Sequence, residues 1–111
     1  MVILQRNLKA IMNGESVDIP VKVYLPVQEQ GGDDFKCDYE IGWPTQTRRF
    51  HAYGVDSIQS LLLALQMIAI ELYTSDLHKL GQLAWLKPND GYGFPLPKED
   101  RDLYVGLDQS L

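Results

Sequence analysis

Cysteine is nearly absent: Cys37 is the only one in 111 residues. An internal disulfide is therefore excluded, the fold must be held by its core, and a reducing compartment suits the chain. Histidine is almost as scarce. His51 and His78 fall in different expected elements, and neither has a Cys, His or carboxylate at a metal-ligand spacing, so neither a metal nor another cofactor is expected. No apolar run approaches the ~20 residues of a bilayer crossing. The longest such stretch, Ile58 to Tyr73, is interrupted by Gln59, Gln66 and Glu71. Met1–Arg6 carry neither a basic cluster nor a sustained apolar run, so no secretion signal is expected and the cytoplasm is the expected compartment. Basic residues are the minority, 10 against 15 acidic ones, for a formal charge of −5. A chain with that balance lacks the surface that neutralises phosphates, which argues against nucleic acid as a partner. No G-x-S-x-G elbow is present, and Gly91 and Gly93 lack the strand-to-helix setting of a phosphate loop, so no catalytic residues are assigned and no enzyme is expected.

What is present reads as one small α+β domain over residues 1–97, followed by an acidic C-terminal tail, 98–111, that either docks or stays disordered. Residues 2–12 are strand-like and end at the turn Asn13-Gly14-Glu15-Ser16. Val17, Ile19, Val21, Val23, Leu25 and Val27 then alternate with polar residues, the period-two pattern of a strand with one buried face. Pro20 and Pro26 each remove a ladder donor and so imply an edge position or a bulge. After the loop of residues 28–34, Phe35, Cys37, Tyr39, Ile41 and Trp43 alternate again. That puts Cys37 on an apolar face, where a thiol packs and has no cation to activate it. A fourth strand, Arg48–Val55, runs straight into a helix. The short connections imply an antiparallel meander of four to five strands with one long helix packed on one face. Gln82–Leu86 is either a fifth strand or an extended cover for the helix.

The helix starts at a recognisable signal. Asp56 can accept a hydrogen bond from the first turn, and Gln59 stands where it can reach back. Through Tyr73, the residues Ile58, Leu61, Leu62, Ala64, Leu65, Ile68, Ala69, Leu72 and Tyr73 fall on one broad face suited to a sheet. Leu63, Met67 and Ile70 form a second apolar facet between two polar stripes, and something must cover it, whether the C-terminal segment or another chain.

Candidate binding residues are few. Arg48 and Arg49 stand near Trp43, and arginine beside exposed aromatics is a common energetic centre of protein interfaces. The plainer alternative is that they pair across the sheet with the acidic third strand, where Asp38 and Glu40 share a face. Trp43, Tyr53, Trp85, Tyr92 and Phe94 either gather into one patch near the end of the sheet or divide between core and surface. The acidic clusters at Glu29–Glu40 and Glu99–Asp108 serve solubility or face a basic partner.

The stretches Gly42-Trp43-Pro44, Tyr53 to Leu61, Ala64-Leu65-Gln66, Gly81 to Leu86 and Gly93-Phe94-Pro95 resemble a family of small bacterial domains of unknown function. The resemblance spans about residues 40–97 and leaves the N-terminal hairpin and the tail outside it; it implies strands before a single long helix and carries no activity, cofactor or catalytic residue. In size, charge and build the chain also resembles the acidic immunity proteins of bacterial toxin systems. The leading expectation is a non-catalytic cytoplasmic protein that binds another protein, as an immunity-like inhibitor of a basic partner would. Two alternatives stand beside it: a small-ligand domain or enzyme with a pocket near Trp43 and Trp85, and a homodimer joined through Leu63, Met67 and Ile70.

Overall fold

A computed structural model describes all 111 residues. Six strands form one wholly antiparallel sheet: β1 (Val2–Met12), β2 (Glu15–Tyr24), β3 (Val27–Gln28), β4 (Phe35–Gly42), β5 (Thr47–Gly54) and β6 (Leu83–Ala84). Helix α1 (Ser57–Tyr73) and a single turn, α2 (Asp76–Lys79), follow β5, and two 3₁₀ helices, Lys98–Leu103 and Gly106–Ser110, end the chain. β1, β2, β4 and β5 make the expected meander, and β3 continues β2 along the same side of β4 after the break at Pro26.

β2 is an interior strand, which corrects the edge placement inferred from its prolines. Its ladder with β4 begins at Val21, one residue after Pro20, so the missing N–H falls where pairing has not yet started. Gly42 makes room there, because a Cβ at that position would lie 3.0 Å from the Pro20 ring. The β1–β2 ladder is regular at Pro20, and its one register shift lies between Val2 and Leu4 of β1.

One sheet face is apolar and buried through Leu8, Ala10, Ile19, Val21, Cys37, Tyr39, Ile41 and Ala52. Two covers share it. Helix α1 lies over β4 and β5. The chain after α2 lies over β1 and β2: β6 adds two residues to β1, and Trp85, Tyr92, Phe94, Leu96 and Tyr104 pack onto the common core. The tail is docked at Tyr104 and Asp108, both buried.

The start of α1 follows the expected logic with one shift. The Gln59 N–H donates to Asp56 Oδ1 at 2.8 Å, while the Gln59 side chain accepts from Val55 N, one residue before the cap. The buried face differs from the broad stripe inferred from periodicity. Ser60, Ala64, Ile68, Ala69, Leu72 and Tyr73 are buried, whereas Ile58 and Leu62 are exposed. The reason is backbone proximity: a Cβ on Gly54 would sit 2.3 Å from Ser60 N, so the first turn rests on a glycine. Only small side chains fit between α1 and the sheet at that end, which pushes the larger Ile58 and Leu62 outward.

Candidate functional site

β5 pairs with β4 alone, from Gly54 opposite Phe35 to Thr47 opposite Gly42, without a bulge. Its other side is a free edge, along which every second residue turns its N–H and C=O away from the sheet. Because residues opposite one another in a ladder share a face, Phe50 projects to the same side as buried Tyr39, toward α1. Tyr53 projects to the opposite side, with Lys36. Beside this edge lies the second helix facet. Leu63, Met67 and Ile70 are half-buried, and with Gln66, Phe50, Tyr53 and Pro97 they line an open cleft of about 460 Å³. Of the C-terminal segment only Pro97 reaches the cleft. Phe50 and Tyr53 remain 39% and 49% exposed, and both contact His51, whose ring centroid lies 4.8 Å and 5.0 Å from theirs.

The two arginines flank this edge but point to opposite faces. Arg48 Nε donates to Glu71 Oε1 of α1 at 2.6 Å. Glu71 also accepts from the Tyr39 hydroxyl, and burial together with that carboxylate pushes the Tyr39 phenol above its usual range. Arg49 crosses to β4, reaching Asp38 at 3.1 Å and Glu40 at 3.6 Å, with its guanidinium over the Tyr24 ring. The cross-strand pairing weighed for the arginines thus describes Arg49, while Arg48 ties the strand to the helix.

The aromatic residues divide. Trp43 is half-buried in a second cleft of about 420 Å³ at the end of α1, among Met12, Glu71, Thr74, Asp76 and Leu77. Trp85 lies at the far edge of the sheet, its ring 3.9 Å beneath the Arg6 guanidinium, and the two tryptophans do not share a pocket. Tyr92 and Phe94 are core residues.

Cys37 and His78 both lie in packed surroundings. Cys37 is fully buried; its thiol donates to the Tyr24 carbonyl at 3.4 Å, and burial, then Asp38, pushes it up to about 11. The His78 ring meets Tyr73 and Tyr92 edge-on, with Nδ1 hydrogen-bonded to the Tyr92 hydroxyl, and burial lowers its pKa. No three His, Cys, Asp or Glu side chains lie close enough together to hold a metal, and no helix is long and apolar enough to cross a membrane.

Sequence reasoning found Tyr53, Leu63, Met67 and Ile70 of the cleft and missed Phe50, His51, Ala52, Gln66 and Pro97. Phe50 was legible from its parity with Tyr39 once the β4–β5 register was known; Pro97 depends on how an irregular segment crosses the helix, for which periodicity gives no signal.

The family described as "Domain of unknown function (DUF6968)" matches residues 4–96. This corrects the narrower span inferred from local motifs, because the N-terminal hairpin lies within the match. Comparison with curated proteins and with solved structures gives no match. The α+β architecture built from β1 to β6 and α1 is therefore that of a family domain, and the chain belongs to the DUF6968 family of domains of unknown function.

Proposed function

We propose that the chain is a non-catalytic, cytoplasmic protein-binding module that takes its partner along the β5 edge and the adjoining α1 facet. The observation that supports this is the coincidence of two incomplete surfaces in one place. An unpaired strand edge offers backbone hydrogen bonds, and an apolar cleft beside it offers side-chain burial, which together are the requirements for strand addition. Free edges of this length are ordinarily guarded by proline, a bulge or inward charge. β5 has no proline or bulge, and Arg48 and Arg49 are each held in ion pairs. Charge attraction to a basic partner contributes less to this reading, because Asp38, Glu40 and Asp108 are already engaged within the chain.

The test is a photo-reactive amino acid at Tyr53 in cells of the source organism, with the same group at Asn7 on the outer face of β1 as control. Adducts at 53, absent at 7 and lost when Met67→Glu is added, are expected. Absence of any adduct at 53 would overturn the reading.

A further inference from the structure

We infer that the partner at this edge is a second copy of the same chain, joined β5 to β5 about a twofold axis perpendicular to the sheet. This deepens the edge-binding reading above and rests on it.

An isologous contact must be complementary to itself. In a twofold antiparallel pair, opposite residues share a sheet face, so the axis passes through one residue of the strand. With the axis at His51, Arg49 faces Tyr53 and Phe50 faces Ala52; with the axis at Phe50, Arg48 faces Ala52 and Arg49 faces His51. β5 contains no acidic residue, and neither register sets arginine against arginine. These two registers thus avoid the like-charge pairs that an axis at Arg48 or Arg49 would create.

The helix facet suits the same occupant. The twofold places both helices on one face of a continuous sheet, antiparallel and side by side across the new junction. Leu63, Met67 and Ile70 are spaced four and then three apart, the repeat by which one helix forms a seam with a like helix. They face the β5 side, where Phe50 borders them from the same sheet face. One symmetry operation therefore completes both the strand edge and the apolar stripe. The opposite edge offers no equivalent site: β1 is bulged near Leu4 and already paired with β6 at Lys9 and Ala10.

The experiment is sedimentation equilibrium on the full chain at low and high concentration, combined with single-cysteine cross-linking. Cys37 is fully buried and leaves an introduced thiol alone at the surface. A mass of twice 12.6 kDa is expected, returning to 12.6 kDa in Met67→Glu and in Phe50→Lys. A cysteine on the axis brings two Cα atoms to about 4.5–5.5 Å, within disulfide reach, so His51→Cys or Phe50→Cys should cross-link on mild oxidation and Asn7→Cys should not. A dimer that survives Met67→Glu and cross-links at neither 50 nor 51 would place the contact elsewhere and overturn the inference. A monomer at every concentration would also overturn it. In that case adducts to a different protein at Tyr53 would preserve the edge-binding reading, and no adducts would end both.

Discussion

Asp108 is the one charged side chain that is buried, and it gathers the C-terminal half of the molecule around itself. It accepts from the Tyr73 hydroxyl at 2.6 Å, Tyr92 N at 2.7 Å and Gly93 N at 2.8 Å. The backbone can wrap it this closely because residue 91 is glycine at φ +86; a Cβ there would sit 2.2 Å from the carboxylate carbon. Arg6 completes the arrangement, donating to the carbonyls of Tyr92 at 3.0 Å and Gly93 at 3.1 Å. In Asp108→Asn one of the two oxygens becomes an N–H₂ facing donors, and a loss of about 3 kcal/mol is expected in denaturant unfolding. His78 sets an acid limit in the same neighbourhood. Burial lowers its folded pKa, so protonation favours the unfolded chain. Between the lowered folded value and the ordinary value near 6.5, the unfolded state binds more protons, and stability falls as pH drops through that window. Urea midpoints from about pH 8 to about pH 5 should decline below the ordinary histidine value in the native chain and decline less in His78→Gln.

Among the elements, those governed by local rules were legible. The capping pair Asp56 and Gln59 marked the start of α1, and strict alternation marked β2 and β4, because a side-chain period is a property of the backbone. Two things were not legible. The sheet-facing stripe of α1 is set by how closely β5 approaches, and Gly54 shows its effect only once the strand lies against Ser60. The division of the sheet between α1 and the C-terminal segment depends on contacts such as Arg6 with Trp85, far apart in sequence. Of the candidate site, the helix facet was legible from spacing, whereas the free edge appeared only with the strand order. Gly54 supports a prediction at this scale. In Gly54→Ala the added methyl meets the backbone of Ser60, which must retreat and take α1 with it. A loss of about 1–3 kcal/mol is expected from such overpacking, read as a lower thermal midpoint. If Gly54→Ala left the midpoint unchanged, the close seating of α1 on β5 would be wrong.

At the scale of the molecule, the family match ends at residue 96 while the core continues beyond it. Tyr104 is buried, and its hydroxyl accepts the Leu96 N–H at 2.6 Å, fixing the irregular 93–97 segment against the sheet. Asp108 holds Tyr73 of α1 and Tyr92, just before that segment, together. Residues 98–111 thus close the cover over β1 and β2, although their composition reads as an acidic tail. Deleting them removes one buried aromatic side chain, worth about 1.5–3 kcal/mol. It also removes the Asp108 hydrogen bonds, worth about 3 kcal/mol. Total stability for a domain of this size is about 5–15 kcal/mol, so the deletion should consume about 30% of it or more. A chain ending at Pro97 is expected to keep protection of the α1–β4–β5 half in hydrogen exchange while the amides of Tyr92, Gly93 and Leu96 lose it, and to unfold well below the native midpoint. Full protection at Tyr92 and Gly93 in the shortened chain would show that Asp108 is not what holds that segment down.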